Sequence, residues 1–229
     1  MIRFFYNLAP NPMKVALFLE EAGLPYEPVP VDTRMGEQHL PAYMAINPNA
    51  KCPALVDGEV TIFDSNAIVL YLAEKTGRFQ PEDTPAARGE MLSWLMFVAS
   101  GIGPYSGQSV HFRHFAPEPK AYAVNRYDFE AWRHWRLIDE RLSTRRFMLG
   151  GDYTLVDIAL WGWARVVPFV LGGQDAWSQL THLKRWLDEI NQRPAAQRAE
   201  ALKSRHAFKP EMDDDARRAL FPQNERLAG

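Results

Sequence analysis

The pair Asp64-Ser65 stands just before an apolar run, Ala67-Ile68-Val69-Leu70-Tyr71-Leu72, and shortly after Pro53. An acid and a hydroxyl at that place cap a helix, because their oxygens accept from backbone N–H groups that the first turn leaves free. The same helix end attracts anions through those N–H groups and the helix dipole. From Asn47 to Phe63 the chain reads Asn-Pro-Asn-Ala-Lys-Cys-Pro-Ala-Leu-Val-Asp-Gly-Glu-Val-Thr-Ile-Phe. This is a loop, a strand opened by Pro53 where a missing N–H does least harm, an Asp57-Gly58 hairpin turn and a second strand. A helix N-terminus with an acid and a hydroxyl, beside a proline-opened edge, can hold the two ends of a peptide-like ligand.

Other residues carry chemistry with less context. Cys52 is the single cysteine, so an intrachain disulfide is impossible. With Lys51 as its one cationic neighbour it reads as an inert thiol rather than a low-pKa nucleophile. Tyr6 is either a hydroxyl donor or an inward-facing strand side chain. Asn11 is a helix cap or a side-chain donor. His111 and His114 have the i,i+3 spacing of a metal pair but no partner carboxylate motif, so no metal is expected. Arg126 is a ligand contact or a solvated helix charge. Trp94, Phe97, Tyr105, Phe112, Trp163 and Phe169 can line a pocket or fill a core, with core the default for Trp163. Thr154 and Asp157, three apart before an apolar helix, read as a capping box with Asp in place of Glu or Gln.

The elements that must position these residues follow from periodicity. Ile2–Tyr6 is a strand, Met13–Ala22 a helix stopped by Gly23, and Tyr26–Val31 an edge strand interrupted by Pro28 and Pro30. Gly36–Ile46 predicts an irregular helix ahead of the hairpin and the helix begun at Ser65. The order β-α-β-α-β-β-α is that of a thioredoxin-like domain, assigned to residues 1–77. Gly77, Pro81 and Pro85 mark a linker over 78–85. Residues 86–229 form an all-α domain, with helices over Ala86–Ser100, Pro119–Leu142, Leu155–Val170 and Leu183–Ile190. The third is apolar nearly all round and should be the buried central helix. The stretch after His206 should be ordered only in part, with one helical turn at Ala216–Phe221 and Leu220 and Phe221 docked.

Composition narrows the function classes. The chain has 229 residues, 47% hydrophobic and 24% charged, with a formal charge of −2. That is the make-up of an ordinary soluble protein, with no basic excess to recruit nucleic acid or an anionic membrane. Met1-Ile2-Arg3-Phe4 does not read as a leader, and no apolar run reaches transmembrane length. With one cysteine, a reducing cytoplasm is the expected location.

Several segments together resemble the glutathione transferases: Asn47-Pro48 with Lys51-Cys52-Pro53-Ala54-Leu55, Asp64-Ser65-Asn66-Ala67-Ile68, and Thr154-Leu155-Val156-Asp157-Ile158. The resemblance spans roughly residues 1–204. Within the superfamily it is most similar to the bacterial nu class, through Ala9-Pro10-Asn11, Gly36-Glu37-Gln38, Gly107-Gln108 with His111-Phe112, and Tyr122-Ala123-Val124-Asn125-Arg126-Tyr127. It implies a cis peptide before Pro53 and a glutathione site made by Gln38, Lys51, Cys52, Pro53, Asp64, Ser65 and Arg126. The backbone of Cys52 would pair with the cysteinyl unit, Asp64 and Ser65 would take the γ-glutamyl end, and Arg126 would reach in from the helical domain. Tyr6, Tyr105 and Phe112 are assigned to an acceptor pocket. The resemblance further implies a homodimer, glutathione as co-substrate with no other cofactor, a small electrophile or disulfide as acceptor, and disulfide reductase, peroxidase or transferase activity.

The match departs where the chemistry starts. Nu-class proteins usually read Thr-Pro-Asn-Gly at the first helix, whereas this chain reads Ala9-Pro10-Asn11-Pro12. The threonine hydroxyl is gone and Pro12 removes an N–H, which leaves Asn11 as the side-chain donor for a thiolate. A free thiol is only about 3% ionised at pH 7, and a drop of about 2 units in its pKa needs roughly 2.7 kcal/mol of selective stabilisation. A helix end and one amide hydrogen bond supply at most about 3 kcal/mol together. Modest thiol activation is expected, and a glutathione-binding protein with little turnover is the alternative.

Overall fold

The computed structural model describes residues 1–227. Strands β1 (Ile2–Tyr6), β2 (Tyr26–Pro30), β3 (Ala54–Asp57) and β4 (Val60–Phe63) form one sheet in the order β2-β1-β3-β4. β1 pairs parallel with β2 and antiparallel with β3, and β3–β4 is the hairpin. Pro28 and Pro30 therefore lie on an edge strand, where a missing ladder donor is tolerated. Side chains alternate along β1. Ile2, Phe4 and Tyr6 enter the main core, while Phe5 joins Val31, Tyr43 and Ala54 in a small cluster on the other face.

Helices α1 (Pro10–Ala22), α2 (Pro41–Met44) and α3 (Ser65–Thr76) complete the N-terminal unit. The irregular helix expected over Gly36–Ile46 is a 3₁₀ turn at Glu37–His39 followed by α2, because Pro41 restarts the helix. Gly23 and Gly77 end α1 and α3 in the left-handed conformation that glycine adopts without strain.

From Pro85 onward the structure is helical. α4 (Pro85–Phe97) runs through a π-turn at Val98–Ile102 into α5 (Gly103–Val110) and a second π-turn at His111–Phe115. Then follow α6 (Ala121–Ser143), α7 (Leu155–Ala164), α8 (Val167–Leu171), α9 (Ala176–Gln179), α10 (Thr181–Asn191), α11 (Pro194–Ala201) and α12 (Asp214–Leu220). The single helix expected over Leu155–Val170 is two. The backbone leaves helical geometry at Val166, and Pro168 lies in the first turn of α8, where it needs no N–H partner.

Every residue of α7 is buried. Its start is the predicted capping box: Asp157 accepts the Thr154 backbone N–H at 2.9 Å, the Met148 N–H at 2.8 Å and Trp186 Nε1–H at 2.9 Å. A buried carboxylate with that many donors is a structural knot rather than a reagent. α7 also packs hard on α1. A Cβ at Gly162 would come within 2.3 Å of the Pro10 carbonyl oxygen, so only glycine permits this approach.

The C-terminal stretch is more tied down than expected. Asp213 caps α12 by accepting the Ala216 N–H at 2.9 Å, and it pairs with Lys209. The backbone N–H of Lys209 bonds Asp32 at 2.6 Å, and Arg34 donates to the carbonyls of Lys209 and Pro210. Phe221 packs on His111, ring centres 4.7 Å apart.

Candidate functional site

Two cavities open where α1 meets α5, α7 and the C-terminal stretch. The first, about 550 Å³, is lined by Asn11, Lys14, Lys51, Asp64, Ser65 and Asn66 on one side and by α5, His111, Phe112 and Phe221 on the other. The second, about 710 Å³, lies beyond the α1 N-terminus, against Ala9, Arg34, Phe115, Phe169, Lys203 and Phe208. Gly107 and Trp163 line both, so Trp163 stands where the two spaces meet, with Asn11 on the first-cavity side.

Asn11 does not cap α1. The cap position is Ala9, without a side-chain hydrogen bond, and Asn7 instead accepts the Ala9 N–H at 3.0 Å. Asn11 lies inside the first turn, and its Oδ1 accepts Trp163 Nε1–H at 2.9 Å. The indole can only donate, so this bond fixes which end of the amide is oxygen and leaves the Nδ2 donor for the cavity. The backbone adds little. Pro10 and Pro12 have no N–H and Met13 N bonds the Ala9 carbonyl, so Asn11 supplies the sole free donor of the first turn.

On the opposite wall, Asp64 caps α3. Its Oδ1 accepts the N–H groups of Asn66 at 2.9 Å and Ala67 at 3.0 Å. Its backbone has φ 75° and ψ 124°, a conformation that non-glycine residues enter only at a cost and that recurs at ligand sites. Ser65 is buried beside it with its hydroxyl at the cavity floor.

At that floor, beside Ser65, stands Lys14, a residue that sequence reasoning misses. It is 1% exposed, and its Nζ donates to Ser65 Oγ at 3.2 Å and Asn66 Oδ1 at 3.4 Å. Burial lowers its ammonium to about 7, against the opposing pull of Asp64. A lysine inside the apolar run Met13–Leu19 was the available signal, since lysine is almost never fully buried without a partner.

The remaining expected residues divide. The Cys52–Pro53 peptide is cis, as the resemblance implies. Cys52 is half-buried between strand and loop: burial pushes its thiol up to about 11, and the Tyr43 hydroxyl lies 3.4 Å from Sγ. Gln38 is buried outside the first cavity's lining. Its Nε2 donates to the Ala219 carbonyl at 2.9 Å, and its Oε1 has no partner. Arg126 is half exposed and bonds Glu130 on its own helix at 2.9 Å, away from both cavities. Tyr105 packs on His134, ring centres 4.7 Å apart, and lines neither cavity. Phe112 lines the first cavity rather than the second. Tyr6 is fully buried, with its hydroxyl 2.9 Å from His206 Nδ1; burial raises its pKa, against the pull of Arg205. Trp163, by default a core residue, is both core and cavity wall. Among the described residues no group of three His, Cys, Asp or Glu side chains could hold a metal, and no helix is long and apolar enough to cross a membrane.

A thioredoxin-like sheet joined to an all-α unit, with an acid–serine helix start facing the α1 end, is the architecture of the glutathione transferases. Residues 2–74 match the glutathione S-transferase N-terminal domain and residues 122–189 the C-terminal domain. The chain belongs to this family. It is 38% identical over 213 residues to the disulfide-bond oxidoreductase YfcG of Escherichia coli, covering 87% of this chain and 94% of that one. It is 38% identical to the disulfide-bond oxidoreductase YghU of the same organism, covering 84% and 72%. A glutathione transferase of Burkholderia graminis, solved with two glutathione molecules bound per subunit, superposes with a TM-score of 0.83 at 35% identity over 90% of this chain and 89% of that one. One from Pseudomonas putida, with one glutathione disulfide bound per subunit, superposes with a TM-score of 0.81 at 32% identity over 88% and 91%.

Proposed function

We propose that the first cavity binds glutathione and that the chain uses its thiolate to reduce disulfides, in the manner of the nu class that the sequence resembles. The observation that carries this reading is the Asn11 amide. Trp163, which lines both cavities, holds its oxygen and leaves its N–H for the first, so the donor serves the cavity that would hold the nucleophile while the neighbouring cavity would hold the acceptor. The γ-glutamyl end sits at Asp64 and Ser65, which directs the thiol toward Asn11. The thiolate attacks one sulfur of the acceptor disulfide, the S–S bond breaks, and the departing thiolate takes a proton from solvent. A second glutathione thiolate attacks the resulting mixed disulfide and releases glutathione disulfide, so two glutathiones are oxidised as one disulfide is reduced. The relatives named as disulfide-bond oxidoreductases and the neighbours holding two glutathiones or one glutathione disulfide support this chemistry over simple conjugation.

The second cavity combines the apolar walls of Phe115, Phe169 and Phe208 with the cations Arg34 and Lys203, which suits an acceptor that is apolar and negatively charged. A homodimer is supported by apolar side chains on the outer faces of both units, Val60 and Phe63 on β4, Met96 on α4 and Phe129 on α6. A reducing cytoplasm suits both the single cysteine and a glutathione-dependent activity.

The poverty of N–H groups at the α1 end favours a second reading, a glutathione-binding protein with little turnover. Turnover of a glutathione mixed disulfide by the purified protein separates the two. A rate no greater than that of free glutathione, with retention on glutathione-agarose intact, selects the second.

A further inference from the structure

Lys14 is absent from the reaction just described, yet it is the most unusual ionisable group near the site. Its Nζ touches only neutral oxygens, Ser65 Oγ and Asn66 Oδ1. It lies under the N-terminus of α3, whose dipole is itself positive and repels a cation. Its stem is clamped from behind: a Cβ on Gly162 would lie 2.7 Å from Lys14 Cγ. A fully buried ammonium without a paired anion is costly.

Of the charges on the surrounding elements Asp64 favours the ammonium, but burial outweighs it. Asp64, at the α3 cap, is exposed and its Oδ1 is already shared between two backbone N–H groups. On α7, Asp157 is enclosed by Thr154, Met148 and Trp186. On α11, Arg198 pairs with Glu20 and Glu200 with Arg165. β1 brings Tyr6, bonded to His206. The cavity also holds Lys51 on the same side and His111 opposite, neither of which supplies negative charge.

We propose that Lys14 is a positioning residue that completes the carboxylate site at Ser65, gaining a proton from solvent when the γ-glutamyl carboxylate of the ligand arrives. The inference rests on glutathione occupying the first cavity. The arriving carboxylate supplies the missing negative charge above the Lys14 ammonium, and the ammonium in turn orients the Ser65 hydroxyl and the Asn66 amide. In the empty site burial holds the ammonium near 7, so above neutral pH much of it is neutral amine. An anion alongside favours the charged form. Binding then takes up protons, and affinity falls as pH rises above 7 by up to about tenfold per unit, until the pKa of the complex is reached.

The experiment is calorimetry of S-methylglutathione, which has no titrating thiol, at pH 8 in buffers of different ionisation enthalpy. The wild type should take up a fraction of a proton approaching one per site. Lys14→Met should bind more weakly, with no uptake. A γ-aminobutyryl analogue, which lacks only the γ-glutamyl α-carboxylate and keeps the amine, should bind the wild type without uptake, a result that does not depend on the variant folding. Binding of S-methylglutathione to the wild type with zero proton uptake overturns the role of Lys14 and leaves the glutathione site standing. No binding of S-methylglutathione overturns the glutathione site, and the role of Lys14 with it.

Discussion

The Trp163 indole N–H donates to Asn11 Oδ1 at 2.9 Å across the junction of the two structural units. A side chain of α7 thereby sets the orientation of the amide that we propose faces the thiol of glutathione. An amide N–H aimed at sulfur favours thiolate over thiol, so it acts on pKa more than on affinity. Asn11→Ala should lower the rate roughly tenfold near pH 7, the worth of about one hydrogen bond. The deficit should shrink as pH rises and free thiolate becomes abundant. Trp163→Phe keeps an aromatic wall but frees the amide, and should give a smaller loss with the same pH dependence. The measurement is a pH–rate profile on a glutathione mixed disulfide for each variant. A profile unmoved by Asn11→Ala but shifted by Tyr6→Phe would transfer the role to Tyr6.

Cys52 should be dispensable for the reaction. Its thiol is pushed up to about 11 by burial, so at neutral pH it is neither thiolate nor ready nucleophile. Cys52→Ser retains a small side chain beside the Tyr43 hydroxyl, and kcat and KM for glutathione should stay within about twofold of wild type, since surface and near-isosteric changes of this kind seldom exceed about 0.5 kcal/mol. Loss of turnover in Cys52→Ser would point instead to a covalent cysteine route.

How much of this site was legible differs by residue. The hairpin with Asp57-Gly58, the Asp64 cap and the capping box of Asp157 are local chemistry, written in adjacent residues, and the structure places them as read. Residues whose role depends on distant chain were harder. Nothing beside Trp163 indicates that it reaches Asn11, and nothing beside Tyr105 indicates that it packs on His134 instead of lining a cavity. Lys14 was hidden by its neighbours, because a lysine on an apolar helix usually snorkels to the surface, and here Gly162 and α7 close that exit. The C-terminal stretch reads as only partly ordered, yet Asp213 faces its own helix N-terminus, where an acid accepts a free N–H and holds the turn.

Removing residues 208–229 should change the acceptor step more than the fold. Phe208, Lys209 and Pro210 wall the second cavity, while Leu220 and Phe221 wall the first. Gln38 would lose the Ala219 carbonyl and become free to meet a ligand. The truncated chain should bind glutathione at least as well as wild type and show a raised KM for an apolar acidic disulfide. Steady-state kinetics with both substrates varied would check this, and unchanged acceptor KM would remove the tail from the pocket.

Lys14 also makes a prediction for stability in the absence of ligand. Its folded pKa, about 7, lies below the 10.5 of the unfolded chain. Between those values the unfolded state binds more protons than the native state, so unfolding free energy rises with pH across that window. Below pH 7 the native protein carries a buried charge and the full penalty, on the order of a few kcal/mol. Buried tyrosines work in the opposite sense: Tyr26 and Tyr43 are raised by burial, so their stabilisation is lost only as pH climbs past the unfolded value of 10. The comparison therefore belongs between pH 7 and 9. Urea unfolding should show the wild type gaining stability over that range relative to Lys14→Met. The variant should be the more stable protein at pH 7, with the gap narrowing by pH 9, although it binds ligand more weakly. If the two pH profiles run parallel, the Lys14 amine does not titrate in this window, and its burial must be balanced by a charge other than a ligand carboxylate.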